Sequence, residues 1–257
     1  MSGIQKVGVV GCGLMGRGIA QVCAAAGYDT VVREVNQELL DAGLGAVRKQ
    51  LDRAVDKGKL ESEVRDATLG RLSGTVSLED LADCDLIIEA IVENIEAKKD
   101  LLGVLDRQSP EHTIFSSNTS SLTVTEMGAA TERPDRFVGL HFFNPVAKLP
   151  LVEVIQAPTS APLAVQKGVM LARQIGKLPL ICKSTPGFLV NRILAPYMDE
   201  AMRMVSEGIA PENIDLAAEE FGMPMGPVEL ADSVGLDVAM HVAGVLSETV
   251  GRSAPED

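Results

Sequence analysis

KVGVVGCGLMGRGIAQVCAAAG, residues Lys6 to Gly27, is the stretch whose reading decides the fold. It starts as a β-rich apolar run, Lys6 to Gly11, and continues from Leu14 as a small-residue helix with Gly27 as its stop signal. Between the two, Gly11, Gly13 and Gly16 form G-x-G-x-x-G around Leu14 and Met15. In a strand–turn–helix setting the first glycine permits the tight turn and the second lets a pyrophosphate approach the backbone. The third lets helix and strand pack closely, with the helix N-terminus facing the phosphates. Glycine turns without a ligand share this spelling, so the setting decides. The next strand, DTVVREV, ends near Glu34, at the spacing of a carboxylate that binds an adenosine ribose. Such a carboxylate repels a 2′-phosphate and favours NAD over NADP, a preference that Arg33 beside it softens.

Further along, strand and helix alternate. Residues 36–72 are charged and helical in period, with DKGKLES as the turn between two helices. CDLIIEAI (Cys84 to Ile91) reads as a strand covered on both faces, NIEAKKDLLGVLDRQ as a helix and TIFSSN as a strand. RFVGLHFF and LPLVEVIQA add two strands, SAPLAVQKGVMLARQIG a helix with Pro162 at its start, and KLPLICK a last strand. This alternation is the pattern of βαβ units in a mostly parallel sheet, an α/β fold. At KSTPGF (Lys183 to Phe188) strand signals stop and only helical periods follow. The boundary there divides the chain into residues 1–184 and an all-helical 187–257.

Composition narrows the function. The chain has 257 residues, 46% of them apolar, with no Trp and a net charge of −13. Scarce aromatics and strong negative charge argue against nucleic-acid and anionic-membrane partners. No apolar run is long enough to span a membrane, and the N-terminus enters a strand rather than a signal peptide. Cys12, Cys23, Cys84 and Cys182 have neither zinc nor disulfide-scaffold spacing and read as buried, reduced small hydrophobes, as in a cytoplasmic protein. His112 and His241 have no second ligand at metal spacing, so no metal is expected.

His141, in GLHFFNP, lies at a strand's carboxyl end, where open α/β sheets bind ligands. Ser120 follows TIFSSN at the same kind of position. Glu153, in LVEVI, reaches His141 if its strand runs antiparallel to the preceding one. A histidine held by a carboxylate has a fixed tautomer, which suits a general base. Asn191, in PGFLVNR, opens the second domain. Each residue also has a plainer reading: a satisfied core histidine, an edge-strand glutamate, a helix-capping serine, a surface asparagine. A Ser-His-acid hydrolase lacks its G-x-S-x-G elbow here.

Taken together, VGVVGCGLMGRGIA, EAIVEN, SSNTSSL, GLHFFNPV…LVEVI, STPGFLVNR and GPVELADSVGLD resemble the 3-hydroxyacyl-CoA dehydrogenases, especially the 3-hydroxybutyryl-CoA branch. The resemblance covers nearly the whole chain. It implies a Rossmann-like domain with a protruding helical hairpin at residues 36–72, then a helical domain that dimerises. It implies that His141 is the general base, that Glu153 orients it, that Ser120 hydrogen-bonds the substrate oxygen and that Asn191 positions the substrate carbonyls. For NAD it implies contacts from Gly11, Gly13, Leu14, Met15, Gly16, Glu34, Ala90, Glu93, Lys98, Asn118 and Asn144. For the acyl-CoA substrate it implies Ser120, Asn191 and Lys57, the last at the CoA phosphates. The family chain continues beyond the stretch resembling GRSAPED with a further helix and a Gly-Phe-Tyr ending, so the helical domain is expected to lack that tail. The rival functions are a dehydrogenase of a free hydroxy or sugar acid, of the L-gulonate type, and a non-catalytic NAD-binding structural protein.

Overall fold

The computed structural model describes residues 3–235; His241 and the GRSAPED stretch lie outside the described residues. The chain divides into two compact units, Met1–Ser184 and Thr185–Asp257.

In the first unit, β1 (Lys6–Val10), α1 (Leu14–Ala25), β2 (Asp29–Arg33), α2 (Gln37–Asp56), α3 (Ser62–Gly70) and β3 (Leu72–Thr75) form the first half of the sheet and its hairpin. Then come β4 (Leu86–Glu89), α4 (Ile95–Gln108), β5 (Ile114–Ser117), α5 (Val124–Gly128), β6 (Phe137–Phe142), β7 (Leu151–Gln156), α6 (Pro162–Gln174) and β8 (Leu178–Lys183). The eight strands lie in the order β3-β2-β1-β4-β5-β6-β7-β8. The first six are mutually parallel in the doubly wound order, and the order reverses between β1 and β4, beside the glycine loop. β7 turns back antiparallel to β6, and β8 runs parallel to β7.

β3 departs from the sequence reading, which carried the hairpin through Leu72. Its residues LSGT are half-exposed, include a glycine and show no apolar alternation, so only pairing with β2 makes them a strand. The hairpin packs along α1 and buries Leu40, Val47 and Leu51 of α2, while its turn around Lys57 is exposed.

Alternation sorts the sheet into two faces. Val7, Val9, Leu86, Ile88, Val138, Leu140, Val152 and Val154 join Ile19, Cys23, Leu171 and Ala172 of α1 and α6 in one buried cluster. Each fully buried side chain of this kind contributes roughly 1.5–3 kcal/mol. The opposite face carries Glu89, Phe115, Ser117, His141 and Glu153, all buried. The apolar period therefore leaves a polar set on the other side of the same strands.

Three of the four cysteines are buried, and burial pushes the Cys23 thiol up to about 12. Cys182 differs from the expectation: it is half-exposed, because β8 is the edge strand and only partly covered.

Asp85 ties the start of β4 to the start of β1, accepting Gln5 N–H at 2.7 Å and Lys6 N–H at 3.0 Å. Burial pushes its carboxyl upward, but these two backbone donors and the nearby His112 outweigh burial and hold it below its ordinary value. A depressed carboxyl contributes stability above its unfolded value and loses it as pH falls through the folded value. Asp85→Asn is therefore expected to lose about 1 kcal/mol at neutral pH. The gap from wild type should close under acid conditions below both values, as read by urea unfolding at a series of pH values.

In the second unit, α7 (Val190–Ser206), α8 (Pro211–Phe221) and α9 (Pro227–Val234) pack on one another. Asp215 caps α9, accepting Val228 N–H at 2.7 Å and Glu229 N–H at 3.0 Å. No helix among the described residues is long and apolar enough to cross a membrane.

Candidate active site

The glycine loop follows β1, and Gly13 begins α1. Gly11 has φ +101°, in the left-handed region, and its N–H bonds Arg33 O at 2.8 Å. A Cβ on Gly16 would lie 1.9 Å from Gly11 O, so helix and turn touch backbone to backbone. A Cβ on Gly13 would meet nothing within 4 Å, so the helix N-terminus is open on that side. Leu14 is exposed and Met15 half-buried in the first turn, and Ala90 packs near Gly16 with its N–H on Val10 O. The cradle closed below and open above fits a dinucleotide pyrophosphate. Glu34 turns its carboxylate back to the loop, accepting Cys12 N–H at 2.7 Å and Val35 N–H at 2.7 Å. It stands at the end of β2 beside the cradle, where an adenosine ribose lies in this fold.

At the same edge of the sheet stand the ends of β4, β5 and β6. The antiparallel turn of β7 sets His141 directly opposite Glu153 in register. Glu153 is fully buried, His141 is 5% exposed, and Nδ1 lies 2.8 Å from Glu153 Oε2. A carboxylate only accepts, so Nδ1 carries the proton of this bond. The Phe143 ring, centroid 4.6 Å away and tilted 59°, flanks the imidazole. The turn beyond it holds exposed Asn144, and the buried Lys177 ammonium secures this turn by donating to Val146 O and to Leu149 O at 2.8 Å.

Asn118 links the neighbouring strand ends, since its Oδ1 accepts Phe142 N–H at 2.9 Å. That bond fastens the Ser120 loop to the residue after His141. Ser120 is exposed at the loop's tip, and the cap position before α5 is held by Thr123, so the capping reading of Ser120 does not hold. Its N–H donates to Glu93 Oε1 at 3.1 Å. Glu93 also accepts the Thr119 hydroxyl and, at 3.3 Å, the Ser121 N–H. Burial pushes the Glu93 carboxyl upward; the Lys98 ammonium and these donors prevail and hold it below its ordinary value. Lys98 lies beneath Glu93, 1% exposed, 3.2 Å from Glu93 Oε2 and 2.6 Å from Glu89 Oε1.

The structure thus gathers the glycine loop, Glu34, Ala90, Glu93, Lys98, Asn118, Ser120, His141, Asn144 and Glu153 along one edge of the sheet. Lys57 caps the C-terminal end of α2, at the turn of the hairpin, and Asn191 lies in the first turn of α7 in the second unit. The sequence reading missed Glu89 and Cys12. A carboxylate in the apolar run LIIE was the available signal for Glu89; the role of Cys12 is carried by its backbone N–H, which no side-chain pattern reveals.

Comparison with known proteins places the chain as a whole. The family model described as "3-hydroxyacyl-CoA dehydrogenase, NAD binding domain" matches residues 6–185, and the C-terminal domain model of the same family matches residues 187–257. A probable 3-hydroxybutyryl-CoA dehydrogenase of Deinococcus radiodurans is 45% identical over 96% of this chain and 89% of its own length. A fatty acid oxidation complex subunit alpha of Psychrobacter cryohalolentis is 40% identical over 95% of this chain, which spans only 34% of that protein. The solved (S)-3-hydroxybutyryl-CoA dehydrogenase of Ralstonia eutropha superposes with a TM-score of 0.93 at 40% identity, covering 97% of this chain and 89% of that one. With both domain models matched in order across the nucleotide cradle and the helical unit, the chain belongs to the 3-hydroxyacyl-CoA dehydrogenase family, and its first domain is the family's NAD-binding domain.

Proposed function

We propose that the protein interconverts (S)-3-hydroxyacyl-CoA and 3-oxoacyl-CoA thioesters with NAD, acting on short chains of the 3-hydroxybutyryl-CoA and acetoacetyl-CoA type. The observation that carries this reading is the buried His141–Glu153 pair at the same sheet edge as the glycine cradle. NAD, when bound, would supply the hydride acceptor for C3 of the hydroxyacyl group. Gly11, Gly13, Leu14, Met15, Gly16 and Glu34 hold the dinucleotide, with Ala90, Glu93, Asn118 and Asn144 completing its surroundings and Lys98 backing Glu93.

His141 Nε2 takes the 3-hydroxyl proton during oxidation and returns it during reduction. Glu153 keeps the proton on Nδ1 and stabilises the imidazolium that forms. Ser120 donates a hydrogen bond to the 3-oxygen, where negative charge develops. Asn191 positions the substrate carbonyls, and Lys57 meets the CoA phosphates. The helical unit provides the dimer surface.

The test follows NADH absorbance with acetoacetyl-CoA, set beside free acetoacetate and NADPH. Turnover with the CoA ester and NADH is the expected result. Turnover of the free acid would move the protein to the hydroxy-acid dehydrogenases, and tight NADH binding without turnover would make it a binding protein.

A further inference from the structure

We infer that Glu89 is a positioning residue for the active site: through Lys98 and Glu93 it sets the place of the Ser120 loop. Its catalytic consequence rests on the function proposed above; its structural consequence does not. Glu89 ends β4 with no exposed surface, an expensive place for a carboxylate unless it is paired and hydrogen-bonded. Its Oε1 accepts Lys98 Nζ at 2.6 Å and Ile91 N–H at 2.7 Å, and its Oε2 accepts the Ser117 hydroxyl at 2.5 Å. One carboxylate therefore gathers α4, the end of β5 and the loop after β4.

Lys98 passes the restraint on. Its ammonium bridges Glu89 and Glu93, and Glu93 gathers the Thr119 hydroxyl and the Ser120 and Ser121 amides. The order is carboxylate, ammonium, carboxylate, then the loop that presents Ser120. With Glu89 charged, Lys98 is shared between two acids. With that charge removed by substitution, the pull on Lys98 weakens, and Lys98 shifts toward Glu93 and draws that carboxylate off the loop amides. Nothing in this chain of contacts requires Glu89 to touch substrate or cofactor.

Glu89→Gln is the test, because it removes the charge and keeps the shape. The amide oxygen still faces Lys98 and Ile91, and the NH₂ group donates to Ser117, whose hydroxyl turns to accept. Amide hydrogen exchange by NMR is expected to speed up at least ~10-fold at Ser120 and Ser121, with β1 and β6 amides unchanged. Turnover of acetoacetyl-CoA is expected to fall about 10-fold, but by less than about 3-fold when introduced into Ser120→Ala, since the effect passes through Ser120. A purely structural role predicts effects that multiply in the double variant. Unchanged exchange at Ser120 and Ser121, or multiplying effects, overturns the inference. If Glu89→Gln does not fold, Glu89→Asp, whose shorter side chain withdraws the carboxylate from Lys98 and leaves Lys98 with Glu93, carries the same expectations. An inactive wild type would sink the proposed function alone, because the exchange measurement still decides the role of Glu89.

Discussion

His141→Ala is expected to lower kcat for acetoacetyl-CoA reduction by about 10²–10⁴-fold, the range for removing a positioned general acid–base group. NADH affinity should change by less than about 3-fold, because the glycine cradle and Glu34 do not depend on the imidazole. The expectation follows from the His141–Glu153 bond of 2.8 Å between two buried side chains. Glu153 holds the proton on one ring nitrogen and so, in the proposed reaction, leaves the other for the substrate. Glu153→Gln should therefore cost less than His141→Ala, because the histidine survives but loses its fixed tautomer and the stabilisation of its charged form. Steady-state kinetics with NADH titration by fluorescence checks both. Near-normal turnover in His141→Ala would remove His141 from the proton-transfer role.

Gly16→Ala is the second large effect, and it strikes binding instead of chemistry. The added Cβ would lie 1.9 Å from Gly11 O and 2.8 Å from Gly11 C, which are backbone atoms and cannot rotate away. Gly11 has no room to retreat, since even a Cβ of its own would lie 2.5 Å from Ala90 O. The first turn of α1 must move outward, disturbing Ile19, Ala20 and Cys23 in the buried cluster. We expect a stability loss of about 3 kcal/mol, at the upper end for overpacking, and NADH binding weakened by at least ~100-fold. Gly13→Ala is the control, because its Cβ meets nothing in the protein. That variant should keep its thermal midpoint and lose only cofactor affinity. NADH binding within about 3-fold of wild type in Gly16→Ala would refute the close-approach account.

The readings that succeeded from sequence were local ones. A strand running into G-x-G-x-x-G and then a helix is a contiguous signal, and its period and glycines describe backbone that is adjacent in the chain. The hairpin turn at Lys57, the helix start at Pro162 and the end of strand signals at Lys183 are of the same kind. β3 is not legible in the sequence because LSGT has no preference strong enough to be a strand without β2 beside it. The exposure of Cys182 is not legible in the sequence because burial at the edge depends on what covers β8.

The sequence by itself determined that a nucleotide cradle opens the chain and that His141, Ser120 and Glu153 are at strand ends or on a strand. Those facts follow from residue type, spacing and the period of the backbone. Only the tertiary structure decided that β7 runs back along β6 and brings Glu153 opposite His141. It also decided that Asn118 fastens the Ser120 loop to Phe142, and that Glu89 and Lys98 meet in the interior. The reason is physical: contacts between strands depend on which strands become neighbours and in which direction. Hydrogen-bond pairing and burial across the whole sheet set that, and spacing along the chain does not record it.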